Sequence, residues 1–259
     1  MRIGHYLHRS AEVVKRSPVI TFFILAFLFT WSLLPLSYSS ILFSLAALCG
    51  PAVAAIVVSL ICGKQKWEKF RQRLTDWKIS PVWYGLALLL PIVVSALRSG
   101  IEYLAGAHGA IELQPINTLS IVVFILVIGE EAGWRGFALP ELMPRSGKFR
   151  SSLIIGILWA FWHLPLFFMP NMPQFGSPFP AFIFYTIALS VILTFLAVRT
   201  RYSVIIATVF HGAVNTFGFV NTAADSVMRG WANAVSYGLV ALAIIAAWGY
   251  SQRKKVPDQ

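Results

Sequence analysis

Apolar runs of about 20 residues alternate along the whole chain with short polar stretches that carry most of its charge. Bilayer hydrocarbon is about 30 Å thick, so a helix crossing it needs roughly 20 mostly apolar residues. By that measure eight segments are expected to span: 18–37, 40–62, 81–98, 118–140, 152–169, 179–198, 203–222 and 231–250. The third, fifth and sixth are the shortest or most interrupted by proline, so a re-entrant segment is expected, if anywhere, among these. The fold class that follows is all-α: a polytopic integral membrane protein of about eight transmembrane helices, forming a single membrane domain over residues 1–259.

Composition narrows the function. Of 259 residues, 58% are hydrophobic and 12% charged, with a mean hydropathy of +0.73. Soluble domains run at roughly 45–50% apolar and about 25% charged. A soluble enzyme, a disordered regulator and a fibrous protein are excluded. Cys49 and Cys62 both lie in or at the end of one apolar run and read as small apolar packers, not a disulfide framework.

A net charge of +11 raises the question of nucleic acid, but the placement of the charge answers it. When loops are assigned to alternate sides, 18 of the 21 Lys and Arg residues fall on the side of the N-terminus. Only Arg98 and Arg229 fall opposite, and Arg135 lies within a span. That asymmetry predicts cytoplasmic N- and C-termini. Residues 63–80 place Trp67, Phe70 and Leu74 on one face of a basic amphipathic helix, expected to lie on the anionic cytoplasmic leaflet. Membrane lipid is then the partner of the basic face, and no nucleic-acid partner is expected. Residues 1–17 resemble the charged start of a signal peptide, but the apolar run is too long and no A-x-A-like site closes it, so retention is expected.

Ionisable groups at membrane depth cost at least a few kcal/mol each, so each calls for a partner or a task. The fourth span carries Glu130, Glu131 and Arg135, the fifth His163, and the seventh His211 and Asn215; the interiors of the other five are expected to hold none. At 1.5 Å per residue, Glu130, His163, His211 and Asn215 lie roughly 12–18 Å from the cytoplasmic ends of their spans. They share one level and could meet. Glu131 and Arg135 are spaced i, i+4 with the acid first, the favourable order for an ion pair. Glu130 is turned about 100° away. With Arg135 compensating Glu131, Glu130 is the carboxylate left for general-base work. His211 and Asn215, also i, i+4, could hold an oxyanion as donors. Trp159, one turn before His163, reads as packing.

A structural ion pair and interhelical hydrogen bonds would use the same residues. A proton-coupled transporter could use them as a relay, although no paired halves with broken helices are seen. A non-catalytic membrane scaffold is a third reading. No H-E-x-x-H motif occurs, so no cofactor is expected, although two histidines and a carboxylate could bind zinc.

Three motifs stand in order on these spans: Glu130-Glu131-x-x-x-Arg135, Trp159-x-x-x-His163 and His211-x-x-x-Asn215. Together they resemble the CPBP family, the CAAX protease and bacteriocin-processing (ABI) proteins related to type II CAAX prenyl endopeptidases, over roughly 115–225. The resemblance implies an intramembrane endopeptidase in which Glu130 and His163 activate water. It further implies that His211 and Asn215 form the oxyanion hole and that Glu131 and Arg135 support the site. Its substrate would be a peptide or protein at the membrane, with processing of CAAX proteins or a role in bacteriocin immunity both represented in the family. Trp159 stands where Phe is commoner. Short loops and a compact chain suggest a bacterial inner membrane.

Overall fold

The computed structural model describes residues 11–170 and 172–253. Arg2, Arg9, Lys254 and Lys255, part of the charge split above, lie outside them, as does most of the segment weighed as a signal peptide. Helices dominate: α1 Pro18–Leu33, α2 Ile41–Ala47, α3 Gly50–Ile61, α4 Lys64–Thr75, α5 Pro81–Leu104, α6 Thr118–Leu126, α7 Ile128–Glu131, a π-helical segment Ala132–Ala138, α8 Leu139–Trp162, α9 Phe179–Arg199, α10 Val204–Thr216 and α11 Ser226–Arg253. One antiparallel pair, β1 Ile111–Leu113 with β2 Phe219–Asn221, closes one end. The all-α polytopic architecture is borne out.

Large apolar side chains along the long helices face outward, among them Leu28, Leu89, Val93, Ile125 and Leu242. In water such a surface would aggregate; in lipid it is the solvated face, while the helices satisfy their own backbone hydrogen bonds. This is an integral membrane protein.

The count of eight full spans is not. Among the described residues five helical stretches are long and apolar enough to cross, or six if the pair Ile41–Ala47 and Gly50–Ile61, bent by 43°, is one broken span. The break therefore falls in the second expected segment, not the third, fifth or sixth. The segment expected at 203–222 is a 13-residue helix, about 20 Å long, that gives way to β2. The segments expected at 118–140 and 152–169 form one helical stretch, Thr118–Phe168. Gly147, at φ 68° and ψ 177°, interrupts it. A straight helix would separate Glu130 from Trp159 by roughly 44 Å, yet the two side chains are hydrogen-bonded at 2.7 Å. The stretch is a hairpin, and it returns the second motif onto the first.

Close backbone approach assembles the remaining walls. A Cβ on Gly133 would stand 2.3 Å from Cβ of Pro51, so only glycine lets the π segment rest on α3. A Cβ on Gly156 would stand 2.6 Å from the Ile187 Cα, which brings α8 equally close to α9.

Two further expectations are corrected. The apolar face of α4 packs on protein rather than lipid: Phe70 is 1% exposed and meets Phe137 edge-on at 6.5 Å. The helix is a cap on the motif-bearing hairpin, fastened by Lys66 to Glu141 at 2.7 Å and by Arg73, whose Nη1 donates to the Gly136 carbonyl at 3.0 Å. Burial pulls the Arg73 guanidinium below its usual range, while Glu141 and Tyr202 act against that shift. Just beyond α4, Arg201 donates to both oxygens of Asp76 at 3.0 Å, a pairing that raises its already high proton affinity.

The ionisable groups are also not confined to the three motif segments. α5 continues to Leu104, six residues past the expected end of its span, and carries Glu102, fully buried 3.6 Å from Arg98 and 3.8 Å from Arg229. Both arginines also donate to β2 carbonyls, Arg98 to Phe219 and Arg229 to Asn221. The triad anchors the strand that follows α10.

Candidate functional site

The first motif sits where the backbone leaves α-helical geometry. An Asn117–Ser120 capping box starts α6, α7 ends at Glu131, and the next seven residues wind as a π-helix. Such segments are rare and concentrate at functional sites, because the wider turn re-aims side chains and loosens the carbonyl ladder. One of its carbonyls, that of Gly136, is the acceptor for Arg73.

Glu130 and Glu131 diverge as the 100° step requires. Glu131, fully buried, receives Arg135 Nη1 at 3.0 Å and His211 Nδ1 at 2.9 Å, both on Oε1. The expected i, i+4 ion pair is present, and a third motif joins it. Glu130, 2% exposed, accepts Trp159 Nε1 on Oε2 at 2.7 Å. Its Oε1 makes no hydrogen bond to any described residue and is not among the sealed buried atoms, whereas Oε2 of Glu131 is.

His163 is the C-cap of α8, the point at which a 3-10 turn, Leu164–Phe168, takes over. Its Nδ1 lies 2.9 Å from the carbonyl of Trp159. A carbonyl can only accept, so Nδ1 carries the proton and a neutral His163 keeps its lone pair on Nε2. The same reasoning applies to His211: an ionised Glu131 receives the Nδ1 proton, and Nε2 can donate only when the ring is an imidazolium.

Trp159 is the residue that sequence reasoning undervalued. Besides bonding Glu130, its ring lies under the Arg135 guanidinium at 4.7 Å and meets His211 edge-on at 5.2 Å and His163 at 5.9 Å. The signal was present in its one-turn spacing from His163, but spacing does not distinguish an indole that packs from one that donates.

Glu130, Glu131, Arg135, His163 and His211 thus come together through direct contacts or through Trp159. Asn215 stands apart: it lies one turn beyond His211 on α10 and is exposed, and its side chain bonds none of the other five. Its backbone carbonyl accepts Gln114 Nε2 at 3.0 Å, which ties the helix end to the chain just after β1. No group of three or more His, Cys, Asp or Glu residues among the described residues is arranged to hold a metal ion.

What these residues can do together is acid–base chemistry. A carboxylate oxygen without a hydrogen bond to any described residue, an imidazole with a directed lone pair and a second imidazole backed by a carboxylate are gathered around Trp159.

Comparison with known proteins bears on the same region. Residues 112–217, which contain all three motifs, match the family model described as type II CAAX prenyl endopeptidase Rce1-like. Over 205 residues the chain is 28% identical to CAAX prenyl protease 2 of Methanococcus maripaludis, an alignment covering 69% of this chain and 73% of that protein. The resemblance of the motifs to the CPBP family is borne out: the part of the chain that carries them is similar to the type II CAAX prenyl endopeptidases.

Proposed function

We propose that the protein is an intramembrane endopeptidase that hydrolyses peptide bonds of membrane-associated substrates, in the manner of the CAAX proteases that it resembles. The observation that carries this reading is the divided pair of carboxylates. Glu131 is committed on one oxygen to Arg135 and His211, whereas Glu130, 2% exposed, keeps Oε1 without a hydrogen bond to any described residue. A purely structural tie needs only the Glu131–Arg135 half.

In this reading Glu130 and the Nε2 lone pair of His163 orient one water. Glu130 takes a proton from it, and the hydroxide oxygen bonds to the scissile carbonyl carbon to give a tetrahedral oxyanion. The C–N bond then breaks, and the proton held by Glu130 passes to the departing nitrogen. His211, as an imidazolium balanced by Glu131, and the carboxamide of Asn215 donate to the oxyanion. The exposed position of Asn215 suits a group that meets its partner only when substrate closes the site. Water is excluded elsewhere by the aromatic wall of Trp134, Trp159 and Trp162.

The match to CAAX prenyl endopeptidases favours a substrate anchored by a prenyl chain on a cysteine four residues from its end. Processing or immunity linked to bacteriocins is the alternative role. The lysine and arginine asymmetry favours cytoplasmic termini, and the short loops and compact chain favour the plasma membrane of a bacterial cell. The test is a comparison of peptide termini in membrane proteomes from cells carrying the wild-type chain or Glu130→Ala. Termini dependent on Glu130 support proteolysis; identical termini overturn it.

A further inference from the structure

The contacts of Trp159 reach further than packing. Its Nε1 lies 2.7 Å from Oε2 of Glu130, a charge-assisted hydrogen bond across the turn of the hairpin. Both ends are held. The indole is 2% exposed and clamped between the Arg135 guanidinium and the two histidine rings, and its backbone carbonyl receives His163. The carboxylate starts from α7, immediately before the π segment. A carboxylate whose χ3 is free presents either oxygen to its surroundings; this one does not. Oε2 is occupied by the indole, and Oε1 is the oxygen left without a hydrogen bond to any described residue.

We propose that Trp159 is a positioning residue of the site: its indole N–H holds Oε2 of Glu130, so that Oε1 is the oxygen that takes the proton from the attacking water. The inference rests on the endopeptidase reading above for its kinetic consequence, but its structural half stands without it. Phe, the commoner residue at this place in the motif, would retain the ring that lies under Arg135 and lose the donor. The indole thus performs two separable tasks. The ring packs the cation and the imidazoles, and the N–H orients the base.

Two replacements separate these tasks. Trp159→Phe keeps an aromatic ring without the donor. Trp159→3-benzothienylalanine keeps the whole bicyclic shape and exchanges only N–H for sulfur. Both variants are expected to retain the thermal unfolding midpoint within a few degrees and the KM within twofold, while kcat falls about tenfold, the scale of one charge-assisted hydrogen bond. If the isostere keeps wild-type kcat, or KM rises while kcat holds, the ring and not the N–H matters and the proposal is overturned.

A readout independent of turnover distinguishes failure of this inference from failure of the peptidase reading. In protein isotope-labelled at its tryptophan indole nitrogens, the N–H resonance missing from W159F belongs to Trp159. It is expected to lie downfield and to move upfield in Glu130→Gln, where a charged acceptor becomes a neutral one. An unmoved resonance overturns the proposal whether or not the protein cleaves peptides. A moved resonance in a protein without proteolytic activity places the failure in the peptidase reading and leaves the hydrogen bond established.

Discussion

Glu131 and His211, 80 residues apart in sequence, meet at 2.9 Å through Oε1 and Nδ1, and the same oxygen receives Arg135. Three helical segments, α7, the π segment and α10, are tied at one buried carboxylate. The pair also links the ion pair of the first motif to the histidine of the third.

The first consequence concerns stability. Arg135→Ala leaves Glu131 buried without its counter-charge, which costs about 3–5 kcal/mol. A steep fall in the yield of monodisperse protein in detergent is expected. Removing both charges, with Arg135→Met and Glu131→Gln together, is expected to restore much of that yield while activity stays absent. Equal yields of Arg135→Ala and wild type would show that the ion pair contributes nothing to folding.

Gly133 supplies a second test, without charge. The Cβ of Gly133→Ala would stand 2.3 Å from Pro51 Cβ and 2.8 Å from its carbonyl carbon, so the π segment or α3 must shift. Overpacking of this kind costs about 1–3 kcal/mol. Thermal unfolding in detergent is expected to show a clear drop, whereas Gly85→Ala, with open space around the new Cβ, is expected to leave the midpoint nearly unchanged.

Asn215 lies exposed and unbonded to the other site residues, so its removal disturbs no packing. Asn215→Ala is expected to fold like the wild type and to lose roughly 10²–10³ in turnover if its carboxamide is an oxyanion donor, with little change in KM. An unchanged kcat would remove it from the oxyanion hole. In parallel, activity is expected to survive exhaustive chelation; loss that zinc alone restores would reassign His163 and His211 as ligands, with Glu130 as a third ligand or as the base on metal-bound water.

Much of this site was legible as a cost. Carboxylates, a guanidinium and imidazoles in apolar runs demand partners, and the geometry of helices separates Glu130 from Glu131 by direction alone. The partners themselves were less legible. That Trp159 donates to Glu130 depends on a reversal at Gly147, where the polar stretch Pro144–Lys148 marks a break but not the angle of return. Glu102 escaped notice because α5 runs past the point where hydropathy falls, and its partners come from α5 itself and from α11, more than a hundred residues on. The seventh expected span failed for a related reason. Apolar content measures what lipid or protein core will accept, and Phe219 and Val220 satisfy it equally well as part of a strand.

Orientation is open to direct labelling. In a cysteine-free background, Arg145→Cys and Phe175→Cys place single thiols at exposed positions on opposite ends of the α8 limb. The lysine and arginine asymmetry predicts that an impermeant reagent added to intact cells labels Phe175→Cys and spares Arg145→Cys. Labelling of both, or the reverse order, would overturn the assignment.

The central claim is tested most directly with purified protein in lipid vesicles and a synthetic peptide prenylated on a cysteine four residues from its C-terminus, with products identified by mass. The wild type is expected to release a fragment with a new terminus, and Glu130→Gln, folded and monodisperse to the same extent, is expected to release none. Cleavage by Glu130→Gln at the wild-type rate would contradict the assignment of Glu130 as the base, and failure of the wild type to cleave prenylated, acylated or unmodified membrane-bound peptides would contradict the endopeptidase itself.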